Sequence, residues 1–149
     1  MAAGDAIDVF GTQKTLEANG ASIASGSVVQ ADDASYSKSA DGSNYRWAKF
    51  VLAATFATAP TEGKTIALYA RPLNIDGTND SEVPEATRPT KFIGIFVVNN
   101  VTTTQYMEID AKDVPREADY YLYNDGTGQT VSSGWTLKVT PWTVRPSLA

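Results

Sequence analysis

Between its turn signals this chain alternates apolar and polar residues with a period of two. Only an extended strand puts every second side chain on one face, so this pattern constrains the fold more than any other feature. Tyr45 to Thr58 is the clearest case: Phe50, Leu52, Ala54 and Phe56 share one face, and Trp47, Lys49, Val51 and Thr55 the other, until Pro60 and Gly63 end the run. In Lys64 to Ile75, Ile66, Leu68 and Ala70 alternate with Ala67, Tyr69 and Arg71, and Asp76-Gly77 closes the strand in a turn-compatible dipeptide. Thr90 to Asn99 is apolar on both faces, which predicts a central or doubly covered strand. Thr104 to Asp110 reads as half-exposed, and Ala118 to Asn124 is expected to pair with Gly134 to Val144. Ser22 to Gln30 reads as an earlier strand, with Asp32-Asp33 as a break before a short continuation through Tyr36.

No segment reads as a helix. Val9 to Leu16 is interrupted by Gly11, and Ala111 to Ala118 contains Pro115. Val, Ile and Thr outweigh Leu, Glu and Lys, a balance that suits a pleated surface. A chain of 149 residues supports one core. The expectation is an all-β fold, an antiparallel β-sandwich of about eight strands. A jelly roll is preferred over an immunoglobulin-like topology or a closed barrel, because Gly77 to Pro89 reads as a crossover between sheets. Residues 1–20 differ in kind, being small and polar around isolated Ile7, Val9, Phe10 and Leu16. They read either as a frayed terminus or as an extended N-terminal arm whose apolar residues dock on a neighbour, with residues 21–149 as the sandwich domain.

Composition narrows the chemistry. The chain has neither cysteine nor histidine, which removes disulfides, thiolate nucleophiles, Ser-His-Asp triads and zinc sites built on imidazole or thiolate. A formal charge of -5 argues against nucleic acid as a partner. The first ten residues lack the basic start of a secretory signal, and no apolar run is long enough for a membrane span. The device left open is an acid pair. Glu108 and Asp110 would share a strand face, and Glu62, Glu82, Glu85 and Glu117 stand in loops, but a solvated edge explains such acids more simply. Asp76, Asn79, Asp80 and Glu82 offer calcium-type oxygens without the order of an EF-hand loop. Asn124 to Gly128 is a turn, not a phosphate cradle. No catalytic, metal or cofactor site is therefore assigned.

The aromatic residues carry the functional signal. Trp47, Tyr69, Tyr121, Tyr123 and Trp142 fall on the strand phase opposite to core rings such as Phe50, Phe56, Phe92, Phe96 and Trp135. Outward Trp and Tyr mark a protein interface or a platform on which sugars stack. A register slip of one residue, or a covering second sheet, would instead make them core. Clustered Asn, Asp and Arg beside the rings would favour sugar; Arg46 and Arg71 alone stand near, so a protein interface is preferred.

Taken together, the acidic, cysteine-free and histidine-free all-β composition, the arm-like start, the Thr-rich strands and the closing stretch Gly134-Trp135-Thr136-Leu137-Lys138-Val139-Thr140-Pro141-Trp142 give the chain its character. In texture, from about Ser22 to Pro146, it resembles the small jelly-roll decoration or cement proteins on the heads of tailed bacteriophages. The resemblance rests on no diagnostic motif, and no residue role is transferred by it. It implies a non-enzymatic virion protein, made in the host cytoplasm, that binds the outer capsid surface as a dimer or trimer and clamps neighbouring copies of the major capsid protein. The expected contact residues are Ile7, Val9, Phe10 and Leu16 in the arm and Trp47, Tyr69 and Trp142 on the strands. The alternative expectation is a carbohydrate-binding β-sandwich module of a phage tail or a glycan-degrading enzyme.

Overall fold

The computed structural model describes residues 2–148. Among these residues there is no helix, and hence none long and apolar enough to cross a membrane. The described residues form strands β1 (Ala6–Phe10), β2 (Lys14–Gly20), β3 (Val28–Ser37), β4 (Trp47–Ala54), β5 (Thr65–Pro72), β6 (Lys91–Val97), β7 (Gln105–Ala111), β8 (Glu117–Asp125) and β9 (Trp135–Pro146). They make two sheets in which every pairing is antiparallel. One runs β1-β9-β4-β7, with β2 also on β9; the other runs β3-β8-β5-β6. The molecule is a β-sandwich. Its core lies between the sheets, where Phe50, Leu52, Leu137 and Val139 of the first meet Ile66, Leu68, Tyr120 and Leu122 of the second. Phe50 and Tyr120 touch across the gap with ring centroids 4.8 Å apart.

Period-two alternation holds best where a strand has one wet face. β4 alternates half-buried and buried residues from Trp47 to Ala54 without a break, and β7 does the same between exposed and buried. Thr90 to Asn99 departs from expectation. Its strand, β6, is an edge strand, paired to β5 alone. Its inner face is buried because Phe96 enters the core and Gly94 leaves room for Ile109 of β7; an added Cβ would sit 2.8 Å from the Ile109 Cγ2. Phe92, Ile95 and Val97 are left exposed on the other face. The segment expected to cross between sheets joins β5 to its own neighbour β6, so it is a long hairpin connection. It folds back through Arg71, whose Nε donates to the Ser81 carbonyl at 2.8 Å.

The expectation for residues 1–20 needs correcting. β1 pairs with β9 from Ala6 opposite Pro146 to Phe10 opposite Trp142, and β2 lies on the earlier half of the same strand. Residues 6–20 are an edge of the sandwich, not a loose arm, and Met1 lies outside the described residues. Its composition misleads because an edge strand needs few apolar anchors: Leu16 fills the core, and Gly20 lies against the indole of Trp135. The strand placed at Ser22 to Gln30 begins only at Val28, because Gly26 adopts a positive φ of 86° in a turn closed by Ser27 N–H to the Ala24 carbonyl. Asp32-Asp33 does not break it. The ladder to β8 bulges between Ala31 and Tyr36, and β2 lies alongside: Glu17 accepts the Asp32 N–H, while Asp33 accepts the Ala18 N–H.

Candidate functional site

The outward face of the first sheet carries a row of aromatic side chains at one end. Register alone assembles it, since Phe10 of β1 stands opposite Trp142 of β9, which stands opposite Trp47 of β4. The Phe10 and Trp142 rings stack at 6.0 Å between centroids, and Trp47 tilts against Trp142 at 4.7 Å. Just beyond β7, Lys112 completes the row, its ammonium 4.6 Å from the Trp47 ring centroid and 5.5 Å from that of Trp142. A cation over two indole faces is held by their quadrupoles. Arg145 sits over the Tyr45 ring at 5.1 Å and donates to its hydroxyl at 3.2 Å. Neither Lys112 nor Arg145 forms an ion pair among the described residues. The Trp142 Nε1–H is shut off from solvent without an acceptor among them.

The row thus combines apolar rings with cations that form no ion pair among the described residues, on a chain whose overall charge is -5. Phe10 is its most open ring, 57% exposed, while Trp47 and Trp142 are half-buried against each other. Ile7 and Val9 lie half-buried on the opposite phase of β1. Two expected contact residues are misplaced. Leu16 is 0% exposed in the main core and cannot reach a partner without unfolding β2. Tyr69 does face outward, but from the other sheet, and it is 6% exposed because Tyr123 stacks on it at 5.7 Å and Phe92 meets it edge-on at 6.4 Å. The strand parity that found Trp47 and Trp142 was sound; it could not say which outward rings cover each other. Sequence reading also missed Lys112, Tyr45 and Arg145, whose relation to the rings depends on cross-strand neighbours.

Several of the acids considered for catalysis or calcium are engaged elsewhere. Glu108 forms an ion pair with Lys49 across the β4–β7 ladder at 2.8 Å. Asp76 accepts from the Asn79 N–H at 2.8 Å, the Asn79 amide at 2.6 Å and both the N–H and hydroxyl of Thr78. These donors, led by the Asn79 N–H, lower its pKa to about 2, which marks a well-satisfied turn carboxylate. Asp80 accepts the Asn74 N–H and lies 3.8 Å from Arg71, and Glu82 lies 3.8 Å from Arg88. A further carboxylate group, Glu17, Asp32 and Asp33, gathers where β2 passes β3. Glu17 is buried, and both its oxygens are engaged by the N–H groups of Asn19 and Asp32. Main-chain dipoles satisfy that charge and tie the two sheets together at this corner.

Comparison with protein-family models, with curated proteins and with solved structures gave no match.

Proposed function

We propose that this chain is a non-enzymatic structural protein of a phage virion, a cement that binds the outside of the head and clamps neighbouring major capsid subunits. The observation that carries the reading is the row Phe10–Trp142–Trp47–Lys112 on the outward face of the first sheet. Its members come from four separate strands or strand ends, so the hydrogen-bonded frame fixes their spacing. Such a rigid, amphipathic patch is the kind of surface that supplies binding hot spots. Lys112 and Arg145 give it a preference for a partner surface that offers carboxylate or carbonyl oxygens beside apolar side chains. On a closed shell the same modest contact repeats many times, and avidity makes it effective.

The strand order supports a jelly roll. With β1 and β2 taken together, the sequence interleaves as β2-β9-β4-β7 facing β3-β8-β5-β6, the order produced when one long hairpin of paired strands is rolled into two Greek keys. The glycan-binding alternative is less well supported. A sugar stacks on an open ring face, whereas Lys112 stands over Trp47 and Trp142 covers part of it.

The test is co-sedimentation with purified phage shells stripped of decoration, comparing the parent with Trp47→Ala and Phe10→Ala. Truncating a hot-spot ring costs about 2 kcal/mol, or roughly a 30-fold loss of affinity per contact. Parent-like binding by both variants overturns the assignment of this row, and no binding by the parent overturns the cement reading. Saturable glycan binding that Trp47→Ala abolishes would replace it with the carbohydrate-binding module.

A further inference from the structure

The outward face of the second sheet is apolar where an uncovered sheet is normally polar. Two of its cross-strand rows show this. One runs Val28, Tyr123, Ala67, Ile95 across β3, β8, β5 and β6; the next runs Gln30, Tyr121, Tyr69, Phe92. Ala67, Tyr69 and Tyr121 form the buried floor, with Val28 and Tyr123 packed on it as a small cluster separate from the main core. At the β6 side the face is open: Phe92 is 55%, Ile95 46% and Val97 51% exposed. Exposed single apolar residues are ordinary, but three on one edge strand, contiguous with a tyrosine floor, mark a surface built to be covered.

We infer that this face is the contact by which two copies of the chain associate, packed sheet against sheet about a two-fold axis through the Ile95–Tyr123 region. Charge selects the occupant. The chain carries a formal charge of -5, so like copies repel over most of their surface. Yet neither of the two rows contains a charged side chain, and the nearest acid, Asp125, stands in the row of Thr65 and Val97 at one end of the face. The single charge within β6, Lys91, is neutralised by Asp113 at 2.7 Å, and Arg71 at the far end of the face is held by Asp80 and Asp119. A partner of different charge would gain from acids at the centre of this surface; a second copy gains from their confinement to its two ends. Size agrees as well. Four strands spaced about 4.8 Å apart, over seven residues rising about 3.4 Å each, give a face of roughly 450 Å². Mutual cover is then about 900 Å², the size of a weak, transient interface, and predicts a dimer that dissociates on dilution. The aromatic row lies on the other sheet, so both surfaces can be occupied at once.

The experiment is sedimentation velocity on the full chain across a dilution series up to about 100 µM, where a micromolar association is near saturation. The expected result is a monomer–dimer equilibrium for the parent. The double variant Ile95→Lys, Val97→Lys should be monomeric at every concentration, with an unchanged circular dichroism spectrum. Tyr106→Lys, an exposed ring on the other sheet, should dimerise like the parent. Should the double variant fold poorly, Phe92→Lys alone, at a side chain already more than half exposed, serves in its place and should weaken association at least tenfold. A parent that is monomeric at about 100 µM, a dimer that survives the folded lysine variants, or a trimer in place of a dimer would each overturn the inference.

Discussion

Gly20→Ala asks whether the segment before β3 is a strand or a detachable arm. Gly20 of β2 stands opposite Trp135 of β9, and a methyl group built on it would lie inside the indole, overlapping Cε2, Cδ2 and Cζ2. Those atoms cannot yield easily. Trp135 is 1% exposed, and its Nε1 donates to the Ala21 carbonyl at 2.7 Å. Overpacking a filled site costs about 1–3 kcal/mol, and losing the indole hydrogen bond adds about 1. The expected destabilisation is about 3 kcal/mol, a sizeable share of the ~5–15 kcal/mol that holds a domain together. In urea unfolding followed by tryptophan fluorescence, the midpoint should fall by about 1.5 M at an m-value near 2 kcal/mol/M. Gly26→Ala is the comparison: its positive φ of 86° makes alanine uncomfortable, but nothing lies within 4 Å, so about 1 kcal/mol is expected. A Gly20→Ala midpoint within error of the parent would mean that β2 is not seated on Trp135. Residues 14–20 would then behave as the arm first expected.

Truncation separates the two halves of that segment. Removing residues 2–10 takes away β1 and Phe10 and should leave a cooperative fold with weakened shell binding; removing residues 2–17 also empties the Leu16 site, costing at least about 3 kcal/mol, and thermal melting distinguishes the two. Alkali tests the core. Tyr36 and Tyr120 are fully buried, their hydroxyls lack partners among the described residues, and burial raises both pKa values, that of Tyr36 to about 12. A raised folded-state pKa means that the contribution is whole below the unfolded value of 10.0 and is lost as pH rises through about 12. Ultraviolet titration should find two tyrosines that ionise only on unfolding. Tyr36→Phe should be neutral or stabilising by up to about 1 kcal/mol, and a clear loss would reveal a partner for that hydroxyl.

The strands with one wet face were legible from the chain alone, as Trp47 to Ala54 and Gln105 to Ala111 show. Outward placement of Trp47, Trp142, Tyr69, Tyr121 and Tyr123 was legible by the same parity. Strand order was not, because alternation says which face a residue takes and nothing about its neighbour. Thus Thr90 to Asn99, apolar on both sides, read as central while the fold sets it at an edge. Residues 6–20 were opaque for a different reason. Their pairing depends on Gly20 accommodating Trp135, far away in sequence, and on peptide donors compensating Glu17, one of them Asp32 on the next strand. The site suffered likewise: Lys112 and Arg145 are unremarkable lysine and arginine until the sheet places a ring beneath each.

β9 is held on one side by β4 and on the other by β1 and β2 in succession. A ribosome releases β1 and β2 long before β9 exists, so during translation these two strands wait without their template. Completion of the first sheet is thereby deferred until the segment around Trp135 to Pro146 has emerged. Until that moment the Leu16 side chain and the strand edges lie open to chance encounters, and growth temperature and synthesis rate should govern the yield of native material more than final stability does.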